Sequence, residues 1–265
     1  SEVVRRKYLF VAVFANLAHN ENRILKISES LKAYNDRVKD HFANSNRFDG
    51  SNTQPFTQYV EGGSQTSIWG VPSLGIDPAT GEEIFIRPDG SITNTWNTND
   101  QVVLGDTEPK IQGTFGLNAT YKNLSLYMTF MYEAGGQIYN STLRDKVEDV
   151  NVYTSNVDKR VFSERWQEPG DKARYRKLTS GVGGSIMRTR PTSRFVEDNN
   201  VLTLNSISLG YDFDAGQKWM KTIGLSMLRF EIGANDVCRW SSVKVERGLN
   251  YPYARSFNFS LKAAF

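Results

Sequence analysis

Along the last positions of the chain, every second residue from Phe257 to Phe265 is apolar (Phe257, Phe259, Leu261, Ala263, Phe265), with Asn258, Ser260, Lys262 and Ala264 between them. A period of two marks a strand with one apolar and one wet face. The pattern recurs in Ile111, Gly113, Phe115, Leu117, Ala119 and Tyr121, resets at Lys122-Asn123, and continues as Leu124, Leu126, Met128, Phe130 and Tyr132. Two amphipathic stretches separated by two residues predict a hairpin. Val201–Phe213 alternates with a slip near Asn205-Ser206, which predicts a bulge. Leu225–Asn235 alternates through Leu228, Phe230, Ile232 and Ala234. Tyr8–Leu17 is apolar on both faces, so periodicity does not say which side is buried, but its length suits a spanning strand.

Between these strands the patterning changes. Ile27, Leu31, Tyr34, Val38 and Phe42 fall at helical spacing behind Ser28, a good N-cap, and predict a short amphipathic helix. From Ala43 to Pro109 the chain is dominated by Asn, Ser, Thr, Gly and Asp, with one expected hairpin arm, Glu83–Ile86, closed by Asp89-Gly90. It reads as a long elaborated loop and not as a core. Glu133–Asn200 and Asp236–Ala254 are two further long polar stretches.

Six long strands result, and their connections alternate in size. The turns at Lys122-Asn123 and around Asp214–Ile223 are short; the loops at His19–Lys110, Glu133–Asn200 and Asp236–Ala254 are long. Loops of that length count against a compact domain, whereas transmembrane barrels combine short periplasmic turns with long extracellular loops. With strands rising and descending in turn, both ends of the chain are expected on the short-turn side, and Tyr121, Trp219 and Phe265 fall near the inner interface, where aromatic girdles belong. Six strands cannot close a barrel, because open edges in lipid leave backbone groups unsatisfied. Further strands are therefore needed. The rival reading is a soluble all-β carbohydrate-binding module with the terminal strand at a sheet edge.

Composition fits either reading. Of 265 residues 39% are hydrophobic and 12% aromatic, and mean hydropathy is -0.48, low for a soluble core but suited to strands of which only alternate residues meet lipid. With 32 basic and 29 acidic residues the net charge of +3 implies no nucleic-acid partner. No run approaches the ~18 apolar residues of a membrane-spanning helix. The first residue is Ser rather than Met, so a processed or truncated product is expected, with targeting signals elsewhere. Cys238 is the one cysteine, and His19 and His41 lie outside any HExxH pattern, so no metal or cofactor is expected. The glycines at 181, 183 and 184 lack a phosphate-loop ending. Glu82-Glu83 and Asp145/Glu148/Asp149 have the residue types of a glycosidase pair, but nothing places two carboxylates at catalytic separation. An enzyme is not expected.

Several stretches resemble the C-terminal part of SusC/RagA-type TonB-dependent outer-membrane transporters of the Bacteroidota. They are Gly75–Gly81, Leu104–Lys110 leading into Tyr121–Leu126, Arg165–Asp171, Ser193–Asp198, Leu202–Tyr211, and Tyr251 through Arg255 to Phe265. Near Asp236 the family's usual strand ending is replaced by Asn235-Asp236-Val237-Cys238. The resemblance implies an all-β fold: the C-terminal six antiparallel strands of a transmembrane β-barrel of roughly 22 strands, with residues 1–265 all belonging to that incomplete barrel. It implies import of oligosaccharides or oligopeptides across the outer membrane of a Gram-negative bacterium. The implied partners are the rest of the barrel and its plug, a SusD-like surface lipoprotein as lid, TonB through segments N-terminal in the family, and outer-membrane lipid.

Within that frame, Trp69, Trp96, Trp166, Tyr251 and Tyr253 fall in the long loops, where aromatic faces can stack on sugar rings or meet a lid; the bland alternative is that they pack the loops on one another. Arg229, Glu231, Asn258 and Lys262 are expected to face the lumen. Phe257, Phe259, Leu261 and the terminal Phe265 are expected to face lipid and to resemble the signal read by barrel-assembly machinery.

Overall fold

A computed structural model describes residues 2–45, 50–153, 156–178, 186–214, 216–244 and 255–265. The first half of the chain forms β1 (Glu2–Arg6), β2 (Leu9–Ala15), α1 (Glu29–Asn44), β3 (Ser67–Gly70), β4 (Ser73–Ile76), β5 (Glu83–Ile86), β6 (Ile92–Thr93) and β7 (Val102–Asp106). The second half is dominated by long strands: β8 (Ile111–Tyr121), β9 (Leu124–Tyr139), β10 (Val196–Asp212), β11 (Met227–Ser241) and β12 (Ser256–Ala264). No helix among the described residues is long and apolar enough to cross a membrane.

Two compact units emerge. The first takes in Ser1–Asn20, Pro109–Gly135 and Asn199–Phe265. It is built on a seven-stranded sheet in the order β1-β2-β8-β9-β10-β11-β12. The pairs β1–β2, β2–β8, β8–β9, β10–β11 and β11–β12 run antiparallel. The six expected strands are all present, and β1 is an addition. Glu2-Val3-Val4-Arg5-Arg6 lacks apolar alternation, so only pairing to β2, from Glu2↔Ala12 to Arg6↔Leu9, makes it a strand. This corrects the expected parity. The β1–β2 turn at Lys7-Tyr8 joins the short-turn end, so β1 begins at the opposite end from Phe265.

Register explains the remaining strand details. The β8–β9 turn closes on Lys122, whose φ is +52°, and Tyr121 faces Leu124. Between β10 and β11 the register shifts between Leu204 and Ser206, where the alternation slips; on the β11 side Asp236 takes φ +52°. β9 and β10 run past their expected limits through polar residues without alternation, held by Gly135 N–H donating to Asn200 Oδ1 at 2.9 Å and Asn140 N–H to the Phe195 carbonyl at 2.7 Å.

The second unit takes in Glu21–Glu108 and Gly136–Asp198. The expectation of loop without core is overturned here. One cluster buries Val38, Phe42, Val71, Phe85 and Trp96, and another buries Leu143, Val147, Val161, Tyr175 and Phe195. The apolar residues that build them come one or two at a time from distant segments, so no local period announces them. α1 begins where expected: the Ser28 hydroxyl accepts from Leu31 N–H at 3.3 Å, and Val38 and Phe42, one helical turn apart, face the first cluster. β5 pairs with β6 across the Asp89-Gly90 turn and with β4 on its other side.

Candidate functional site

Residues directly opposite in an antiparallel ladder project from the same face, so the register sorts the seven-stranded sheet into two. Leu9↔Tyr121↔Leu124, Val13↔Leu117↔Met128 and Tyr211↔Phe230↔Leu261 lie on one face, with Phe259 and Phe257 opposite Ile232 and Ala234. That face is apolar and exposed: Phe257 is 63%, Phe259 71% and Leu261 68% accessible. Phe265 follows β12 at the short-turn end.

The opposite face is polar. Arg229 donates to Asp212 Oδ2 and Ser125 Oγ at 2.9 Å each and to Glu231 Oε2 at 3.3 Å. Lys262 pairs in register with Arg229, and Asn258 with Gly233, so Arg229, Glu231, Asn258 and Lys262 share this face. Phe14 also turns here, stacked on Tyr127 with centroids 6.0 Å apart. It lies across Gly116, where a Cβ would come within 2.4 Å of the Phe14 ring. The β2 run is apolar on both faces because Phe10 and Phe14 belong to the polar face.

In the second unit a chain of buried ions ties β5 to the later segments. Arg194 Nε and Nη2 each donate to Glu83 at 2.8 Å, and Nη2 also reaches Glu148 Oε1 at 2.8 Å. Arg176 lies 3.4 Å from Glu148 and 2.9 Å from Asp149, which accepts from the Thr189 N–H and hydroxyl at 2.8 Å each. Burial drives the Glu83 carboxyl upward, but Arg194's charge and hydrogen bonds, with Ser73 and Thr192, outweigh it and hold the group below the usual carboxylate range. Burial likewise opposes the charge on Arg194, and Glu148 and Glu83 overcome it, raising Arg194 well above its ordinary value. The carboxylates that matched a glycosidase pair by type are thus consumed in ion pairs, a structural use.

The predicted aromatic residues fall in different surroundings. Trp96 is 8% exposed; its indole N–H donates to the Pro191 carbonyl at 3.0 Å and Arg190 stacks over its ring at 4.8 Å, so it packs the first cluster. Trp69, in β3, is half-buried. Trp166 is half-buried, donates to the Pro78 carbonyl at 2.9 Å, and lines an open cleft of about 400 Å³ with Phe162, Lys177 and Leu178. Tyr251 and Tyr253 lie outside the described residues. A second aromatic cleft, missed by the sequence reading, is lined by Tyr34, Arg37, Val38, His41 and Phe56 and has a volume of about 470 Å³. Its signal was present: Tyr34, Arg37 and His41 recur at spacings of three and four on α1, but Phe56 joins them only in the fold.

No family model matches the chain. It is similar to the TonB-dependent receptor P3 of Formosa agariphila, 24% identical over 276 residues that cover 94% of this chain and 26% of that protein. It is also similar to the TonB-dependent receptor P26 of the same organism, 24% identical over 149 residues, 56% of this chain and 14% of that one. The chain therefore spans about a quarter or less of the length of these relatives. Among solved structures it shares its fold with a chain of the RagAB peptide transporter, with a TM-score of 0.71 at 18% identity over 98% of this chain and 27% of that chain. The "closed-closed" RagAB peptide importer matches with a TM-score of 0.73 at 20% identity, over 100% and 28% respectively. The chain thus shares its fold with about a quarter of a RagAB transporter chain and resembles in sequence a part of two TonB-dependent receptors.

Proposed function

We propose that this chain is the barrel-closing portion of a TonB-dependent outer-membrane importer of oligopeptides or oligosaccharides, working with a SusD-like surface lipoprotein and, through N-terminal segments, with TonB. The observation that carries this is the two-faced sheet. Its contiguous apolar face is exposed, and its outer strands β1 and β12 have no further neighbour among the described residues. Open edges and a bare apolar face are costly in water and, for the edges, in lipid as well. Both costs vanish if further strands close the sheet into a barrel of roughly 22 strands, apolar face outward. The face bearing Arg229, Glu231, Asn258 and Lys262 then lines the lumen. The short turns become periplasmic, and the second unit becomes the extracellular loops, with the Trp166 and α1 clefts as candidate contacts for substrate or lid.

The test exploits the facing. Phe259→Arg puts a guanidinium at mid-strand on the lipid side, which costs about 2–4 kcal/mol in a barrel, and is expected to deplete the assembled, heat-modifiable form in outer-membrane fractions. Asn258→Arg, one residue away, points at the lumen and should assemble normally. Equal assembly of the two variants, or a full-length protein that stays monodisperse without detergent, defeats the proposal. Uptake and lipoprotein pairing by Trp166→Ala then report on the contact role, which unchanged values of both would remove.

A further inference from the structure

At the short-turn end, two adjacent turns form a unit in which basic and aromatic residues interleave. Lys7-Tyr8 joins β1 to β2 and Lys122-Asn123 joins β8 to β9; the Lys122 N–H donates to the Tyr8 carbonyl at 2.8 Å, locking the turns together. Lys122 Nζ lies over the Tyr8 ring at 5.8 Å and the Tyr121 ring at 5.6 Å, and Lys7 Nζ lies over Tyr8 at 5.2 Å. The register adds a third cation. Arg6 is opposite Leu9, itself opposite Tyr121, so the apolar row on the outward face ends in a guanidinium. All three cations are exposed, as are Tyr8 and Tyr121.

No ion pair to Arg6, Lys7 or Lys122 occurs among the described residues, whereas the neighbouring Arg5 is matched by Glu2 at 2.7 Å. Three unmatched cations held close together repel one another, and a charge on the outward face is tolerated only near the interface. The tyrosine rings supply part of the compensation through cation–π attraction, and they keep the ammonium groups at the level where hydrocarbon gives way to headgroups. What the arrangement lacks is an anion.

We propose that Arg6, Lys7 and Lys122, set over Tyr8 and Tyr121, bind the phosphate of an anionic glycerophospholipid of the periplasm-facing leaflet. The inference rests on the membrane reading above. Each cation contributes through charge and hydrogen bonding to phosphate oxygens, and the leucine at position 9 with the two rings provides an apolar surface for the first acyl segment.

The test uses the complete outer-membrane protein in nanodiscs of phosphatidylethanolamine containing a minor share of phosphatidylglycerol, followed by native mass spectrometry of lipids kept after partial delipidation. The wild type should retain phosphatidylglycerol preferentially. Lys122→Gln should lower that preference about fivefold, and Arg6→Gln/Lys7→Gln/Lys122→Gln should abolish it. Heat-modifiable migration confirms that each variant is folded; where the triple variant is not, the Lys122→Gln arm decides. Equal retention of both lipids by the wild type, or unchanged preference in the folded variants, overturns the site. A protein released from membranes by carbonate overturns the membrane reading too, whereas one that stays in the membrane without lipid preference overturns only this site.

Discussion

Replacing Arg194 with alanine removes the cation shared by Glu83 and Glu148. Arg194 and Glu83 are buried, with side chains 10% and 6% exposed, and the guanidinium makes three charged contacts of 2.8 Å in addition to a 2.9 Å bond to the Arg174 carbonyl. Losing one partner of such a pair costs about 3–5 kcal/mol, because the remaining carboxylate keeps its desolvation cost without its compensation. The lower end applies, since Arg176 still faces Glu148 at 3.4 Å. The pH dependence follows from sign. In the wild type the Glu83 pKa is depressed, so its contribution is fully present above the ordinary 4.5 and is lost as pH falls through the folded value. In the variant, burial, the largest effect on this group, is opposed only by the Ser73 and Thr192 hydrogen bonds and raises the folded value; the penalty is then full above that raised pKa and disappears below 4.5. The stability gap between the two proteins should therefore be widest near neutrality, should narrow as pH falls through the variant's raised value toward 4.5, and should close only below 4.5, as the wild-type Glu83 is itself protonated. Hydrogen exchange read by mass spectrometry on peptides spanning β5 and the Thr192–Val196 segment measures the local opening free energy. A gap under about 1 kcal/mol at pH 7, or one that does not change with pH, refutes the assignment of Arg194 as the charge that holds this unit closed.

Three further outcomes follow from the packing. Trp96→Ala leaves a cavity bounded by Phe42, Phe85 and the Arg190 guanidinium, and should lower the stability of the first cluster by about 3–5 kcal/mol, seen as faster exchange in α1; protection equal to wild type would deny Trp96 its packing role. Gly116→Val brings a branched side chain onto the Phe14 ring and the Met128 carbonyl, each within 2.4 Å of a Cβ at that position, and should reduce the assembled fraction on gels; Phe14→Ala/Gly116→Val should recover only part of it, because the Met128 carbonyl stays in place, and assembly equal to wild type in the single variant would deny the close approach. Deleting Phe265 should lower surface levels of the full protein; normal levels would remove the terminal aromatic as an assembly signal.

The strand faces were legible in the sequence because strand geometry is local: alternate side chains point to opposite sides wherever the backbone is extended. Phe257, Phe259 and Leu261 therefore identify an apolar face before any partner is known, and Ser28 marks the start of α1 through a bond three residues long. β1 was not legible, since Arg5 and Arg6 interrupt alternation and only the β2 ladder makes that segment a strand. Nor was the division of labour within β2, where Phe14 takes the polar face because Gly116 leaves room for its ring. The polar segments between strands hid two hydrophobic clusters and a chain of ion pairs. Glu83, Glu148, Asp149, Arg176 and Arg194 are separated by up to 111 positions, and no spacing rule connects groups that meet only after the chain has closed. Local periodicity was thus enough to determine which residues share a face of each strand. Which of those faces neighbour one another, and which scattered charges neutralise each other, was decided by tertiary contact, because the energies involved depend on burial that only the folded chain provides.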